Sequence, residues 1–231
     1  MSVSVHIAEM EGSNSNKKRM QIAYKYVLDG LLAGVYRPGS NLRINDLCAS
    51  LKMSQTPIKQ ALVELEGERL LEKNGKYYSV FNFSRKEVLD LYEVRRIIEG
   101  EAAAMAAERA ERVEIVSMRR LLGHLTSIAE QEEANPVKFA ELSGEFHRII
   151  VRASGNKLLM TMTEDILKRL KIIRITSLTS FDRRADDITE HLRILEAIEN
   201  REGSLARERM TAHLNLVTNY IGQNLLTQFY E

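Results

Sequence analysis

The sequence predicts a mainly α fold in two parts: an N-terminal winged helix-turn-helix, then an all-α bundle of about six helices. Three observations predict it. First, Ser54-Gln55-Thr56-Pro57-Ile58-Lys59-Gln60-Ala61-Leu62 opens with a good N-cap residue and carries a proline tolerated in a first helical turn. Its apolar residues then return at helical spacing. Second, Asn74-Gly75 lies between two short apolar runs, a strong hairpin signal. Third, beyond Ser84 no strand pattern intervenes, glycine is sparse, and Leu, Ile, Ala, Glu and Arg dominate.

Residues 1–16 read as a flexible tail, polar around Gly12-Ser13-Asn14-Ser15-Asn16. A helix follows over about 17–33, with Ile22, Val27, Leu31 and Leu32 at roughly helical spacing. Pro38-Gly39 ends it with a turn. A short helix over 44–51 and a tight link at Lys52-Met53 lead to a helix from Ser54 to about Gly67, together a helix-turn-helix. Runs 70–73 and 77–81 make the hairpin, so residues 17–83 form the first domain. The second domain, 84–231, is expected to hold helices near 85–109, 112–133, 137–153, 157–177, 184–199 and 202–227. Breaks fall at 131–135 before Pro136, at Ser154-Gly155-Asn156 and at 200–203.

A net charge of +1 hides an asymmetry. Between Lys17 and Ser84 there are 11 Lys+Arg against 6 Asp+Glu, whereas from Arg85 onward acids slightly outnumber bases. A basic first domain on a mildly acidic remainder suits a polyanion-binding module joined to something else. No apolar run approaches the ~20 residues of a membrane span, and no secretory signal pattern opens the chain. The single cysteine, Cys48, cannot form an internal disulfide, which fits a reducing cytoplasm.

Gln55, Thr56, Lys59 and Gln60 fall on the exposed start of the second helix of the helix-turn-helix, where such side chains reach base edges and phosphates. The segment reads as a DNA-recognition helix; an ordinary solvated face is the alternative. The run from about Tyr26 to Phe83 resembles the GntR family of bacterial transcription regulators, through Gly34, Pro38-Gly39, Leu42, Leu47, Ser54, Thr56-Pro57, Ala61-Leu62, Leu65-Glu66 and Leu70-Leu71. The remainder resembles the FCD effector domain of the FadR subfamily, in its six-helix, VanR-like variant. That likeness rests on Leu91-Tyr92-Glu93-Val94-Arg95-Arg96-Ile97-Ile98-Glu99, Phe146-His147, Ser154-Gly155-Asn156, Glu190-His191 and His213. The resemblance implies a cytoplasmic homodimer on a pseudo-palindromic DNA operator, answering to a small metabolite, often an organic acid. It implies DNA contacts from Asn45, Ser54, Gln55, Thr56, Lys59, Gln60 and Lys76. Gln55, Lys59 and Asn45 stand where the family usually has arginine. Arginine suits guanine and glutamine suits adenine, so the operator is expected to differ from the family's usual sequence.

His147, His191 and His213 lie on three separate predicted helices, and the resemblance implies that they hold a divalent metal. Converging imidazoles suit zinc or nickel. The family's fourth ligand, an Asp one turn before the first His, is replaced here by Ser143. Glu145 points elsewhere, since two residues turn a helix by about 200°. The alternative is a metal-free pocket in which Arg95, Ser143 and the three histidines bind an anionic effector directly. Arg95 is equally suited to an ion pair with Glu99. Two other functions compete: a DNA-binding protein with an effector-insensitive bundle, and a metal-dependent hydrolase. Against the second, the chain has no HExxH, nucleophile elbow or phosphate-binding glycine loop.

Overall fold

The computed structural model describes residues 2–32, 35–82, 84–131, 135–178 and 181–224. The chain divides into two compact units, Met1–Asn82 and Phe83–Glu231.

The first unit holds α1 (Ser2–Leu32), β1 (Asn41–Leu42), α2 (Ile44–Leu51), α3 (Gln55–Gly67), β2 (Leu71–Asn74) and β3 (Tyr77–Val80). The strands form an antiparallel sheet in the order β1-β3-β2, with Leu42 opposite Tyr78 and Asn74 opposite Tyr77. Gly75 at φ +63 makes the two-residue turn, a conformation that side chains other than glycine seldom adopt. At the other end of the wing, Val80 N–H donates to Ser40 O and Gly39 N–H donates to Val80 O. Lys52 closes α2 in the left-handed region, which turns the chain sharply into α3. Val27, Leu31, Leu47, Ile58, Leu62, Leu65, Leu70 and Tyr78 are buried in one core. Each such side chain contributes about 1.5–3 kcal/mol of burial.

Two expectations for this unit need correction. Helix α1 runs back to Ser2, through the stretch read as a flexible tail. Ile22 lies outward, 45 % exposed, and Ala23 enters the core with Val27 and Leu31 instead. Residues 23, 27 and 31 keep the four-residue spacing of one helix face, which Ile22 does not share. Gly34 and Phe83, part of the family pattern, lie outside the described residues.

The second unit contains α4 (Arg85–Arg109), α5 (Arg112–Ala129), α6 (Pro136–Ala153), α7 (Lys157–Arg169), α8 (Lys171–Ser177), α9 (Phe181–Glu199) and α10 (Gly203–Asn224). Ser84 and Glu87 form a reciprocal capping box at the start of α4. Asn135 and Asn156 cap α6 and α7, each accepting two backbone N–H groups. The most extensive packing joins α4 to α10. There Gly100 lets the helices approach, because a Cβ at that position would stand 3.0 Å from Thr211 Oγ1.

The helix expected over 157–177 is broken, so the described residues of this unit form seven helices rather than about six. Leu170, wholly buried, sits at the junction with φ −85 and ψ 4. No glycine or proline marks the break. Its effect is to redirect α8 so that Arg174 reaches across to α6 and donates to Ala140 O. The ends of the helices expected over 112–133 and 202–227 fall outside the described residues.

Candidate functional site

On the first unit, Asn45, Ser54, Gln55, Thr56, Lys59, Gln60 and Lys76 are all exposed. They belong to α2, the start of α3, and the wing turn. Pro57 and Ile58 are buried, which fixes the face that α3 turns outward. Gln55 Nε2 donates to Asn45 Oδ1 at 3.3 Å. Gln60 is partly engaged, because its Oε1 accepts from Asn16 of α1. Ser54 stands at the N-cap position, but its hydroxyl makes no capping bond.

The second unit brings three buried histidines together from three helices: His147 of α6, His191 of α9 and His213 of α10. One ring nitrogen from each falls in a set whose members all lie within 4.8 Å of one another. His147 Nε2 and His191 Nε2 are 3.2 Å apart. Phe146 stacks on the His191 ring with centroids 4.3 Å apart. Carboxylates approach the far side of each ring. Glu99 Oε2 is 2.5 Å from His147 Nδ1, and Glu190 Oε2 is 2.5 Å from His213 Nδ1. Asp187 Oδ2 stands off at 3.6 Å from His191 Nδ1. The Glu99 approach is close but not aligned as a hydrogen bond. His147 Nδ1, His191 Nδ1 and Asp187 Oδ2 are therefore buried without aligned partners.

Arginines complete the surroundings. Arg95 donates to Glu99 at 2.7 Å, and Arg183 donates to both oxygens of Glu190 and to Asp187 Oδ1. Arg174 has a different environment: its Nη2 bonds Ala140 O, and no carboxylate lies within ion-pair distance among the described residues. Burial, reinforced by the Arg95 charge, pushes its guanidinium down to about 10. Burial also lowers His147 to about 4, against the pull of Glu99, and His191 well below its usual value. These two imidazoles are thus neutral at pH 7, the form that offers a lone pair. Burial alone would raise the Asp187 carboxyl, but His191, His213 and Arg183 outweigh it and hold it low. Glu99 is held low in the same way by Arg95 and His147.

A cavity of about 20 Å³ lies among Arg95, Ser143, His147, Arg174, Asp187 and His213. It has room for about one water-sized group. Outside it, a cleft of about 470 Å³ is bordered by Arg193, Leu216 and Tyr220, with Arg183 facing both spaces. The expected positions Arg95, Ser143, His147 and His213 line the cavity, and His191 adjoins it through His147. Arg95 does both things considered for it: it pairs with Glu99 and borders the cavity. Arg96, by contrast, bonds Asn215. Sequence reasoning missed Asp187, Arg174, Arg183 and Glu190 as parts of the pocket. Asp187 and His191 are four residues apart, so helical spacing alone places them on one face.

The donor set fits a divalent cation. Two Nε2 atoms 3.2 Å apart need either one N–H between them or a cation facing both lone pairs. Tetrahedral zinc with ~2.0–2.1 Å bonds sets neighbouring nitrogens about 3.3 Å apart. A carboxylate behind a ligating imidazole is the usual way to fix its orientation.

A winged helix-turn-helix on one unit, and an all-α unit enclosing an ionisable pocket, define a two-part bacterial transcription regulator. Residues 20–76 match the description "Bacterial regulatory proteins, gntR family", and residues 90–216 match the FCD domain. The chain belongs to the gntR family of bacterial regulatory proteins and carries an FCD domain. It is 30 % identical over 183 residues to the Nta operon transcriptional regulator of Aminobacter aminovorans, covering 78 % of this chain and 83 % of that protein. It is 28 % identical to a probable D-xylose utilization operon transcriptional repressor of Paenarthrobacter nicotinovorans, covering 76 % of each chain. The E. coli McbR/YncC structure shares the fold with a TM-score of 0.65 at 19 % identity, over 92 % of this chain and 99 % of that one.

Proposed function

We propose that this protein is a cytoplasmic, homodimeric transcription regulator that binds a pseudo-palindromic operator and answers to a small organic acid in the FCD domain. A divalent metal, zinc or nickel, anchors that acid. His147, His191 and His213 hold the metal; Arg95, Ser143 and Arg174 complete the effector pocket. The observation that carries the reading is the convergence of three buried histidines beside orphaned polar atoms. A structural role for these residues would leave their buried nitrogens and oxygens satisfied. The unmatched Arg174 supplies a seat for a carboxylate, since a guanidinium binds one in a two-pronged way. The cavity as it stands admits little more than a water, so binding an organic acid requires the pocket to widen toward the outer cleft.

Asn45, Ser54, Gln55, Thr56, Lys59, Gln60 and Lys76 are the proposed DNA contacts. Two-fold symmetry sets two copies of α3 in successive major grooves. The free hydroxyl of Ser54 suits a phosphate at the helix start.

Two measurements test the function together. Gel shifts on the DNA upstream of the protein's own gene should show a specific complex. Melting curves with zinc or nickel should rise in the full-length protein, because a ligand of the folded state stabilises it by mass action. His147→Ala with His191→Ala should abolish the thermal response and keep operator binding. Absence of any specific DNA complex would overturn the regulator reading. A wild-type protein indifferent to metals and organic acids alike would overturn the sensor reading.

A further inference from the structure

Position 143, where family members carry a metal-binding carboxylate, is serine, so the three imidazoles have no anionic partner on α6. Three neutral imidazoles leave a dication's charge uncompensated in a buried site. The structure offers three carboxylates around the cluster, and their distances sort them. Glu99 and Glu190 each press an oxygen to 2.5 Å from the Nδ1 of one histidine. Both also accept from an arginine, Arg95 or Arg183. They are occupied in holding rings and guanidinium groups.

Asp187 differs in each respect. Its Oδ2 lies 3.6 Å from His191 Nδ1, beyond hydrogen-bond reach. Arg183 takes only the other oxygen, at 3.4 Å. The side chain is 3 % exposed, and Oδ2 is buried with no partner. Asp187 lines the same cavity as Ser143, His147 and His213, and offers an oxygen within 4.8 Å of a His213 nitrogen. An unsatisfied buried carboxylate oxygen is costly unless something positive meets it.

We propose that Asp187 is the anionic metal ligand of this protein, supplied from α9 in place of the carboxylate absent at position 143. This rests on the three-histidine metal reading above. The carboxylate has moved from one helix to another while facing the same cavity. In the sequence, the metal-binding pattern becomes Asp187-x-x-x-His191 on α9, with a lone His147 on α6.

Zinc titrations into chelator-stripped full-length protein, read by calorimetry and by melting temperature, test this. Asp187→Asn keeps the shape and removes the charge. It should weaken zinc binding by more than about ten-fold, the lower end of what loss of an orienting carboxylate alone costs. The decisive variant is Asp187→Asn combined with Ser143→Asp. Returning a carboxylate from α6 should recover at least half of the lost melting shift and most of the lost affinity. A carboxylate that merely oriented His191 could not be replaced from α6, so weakening without recovery would overturn the proposal. Zinc binding by Asp187→Asn within two-fold of wild type would also overturn it, while leaving the three-histidine reading intact. No zinc or nickel binding by wild type would bring down both. Far-UV circular dichroism of the stripped proteins checks folding, and Asp187→Ser serves the same comparison if the asparagine variant does not fold.

Discussion

Glu99 is wholly buried between Arg95 and His147, and this one side chain ties the pocket to α4. Removing it leaves a buried guanidinium without its partner, a change that costs about 3–5 kcal/mol. Urea unfolding of metal-stripped Glu99→Ala should therefore show a loss of that size. Lys86 and Asp90 make an equally short pair on the surface, but solvent and side-chain entropy leave such pairs worth only about 0–1 kcal/mol. Lys86→Ala should move the urea midpoint little. At this scale the sequence was partly legible. The three histidines stand out because they are few and fall on separate helical segments. Arg95 and Glu99, four apart, suggest an ion pair but not its burial. Arg174 and Arg183 gave no signal, since arginines are frequent throughout the chain and neither lies in a distinctive pattern.

At the scale of elements, α3 is the most legible part of the chain. Ser54, Pro57 and the apolar triplet Ala61, Leu62 and Leu65 fix both its start and its inward face. What faces outward follows by subtraction. Lys59→Ala should weaken operator binding and lower the salt dependence by about one unit if the ammonium sits on a phosphate. Gln55→Arg should shift preference toward guanine at one symmetric operator position, by about 1–3 kcal/mol of discrimination. Competition gel shifts over a salt series read both effects. Unchanged affinity and base preference in both variants would remove these residues from the recognition surface. The 157–177 segment was illegible for an opposite reason. Its apolar positions remain helical on both sides of Leu170, and the break is held by tertiary burial rather than by a local stop residue. The start of α1 has similarly little patterning, so its helical state was not read from the polar residues around Gly12.

For the whole molecule, the division into two units follows a change of texture visible in the sequence: basic with turns and a hairpin first, then long helices with slight acidic excess. Which side chains meet inside the second unit was less accessible, because that depends on how α4, α6, α8, α9 and α10 pack. The balance of charge inside that packing carries a consequence for ligand choice. Around the cavity, Arg95, Arg174 and Arg183 stand against Glu99, Asp187 and Glu190, so these ionised groups cancel. A dication added to this neutral enclosure creates a surplus of two positive charges with little water to screen it. A doubly charged anion removes the surplus. Metal and dicarboxylate should then recruit one another, and thermodynamic reciprocity makes the two enhancements equal. Titrating succinate with and without zinc, and zinc with and without succinate, should give the same ratio of dissociation constants both ways. A ratio of one would mean that the enclosure does not choose its guest by charge.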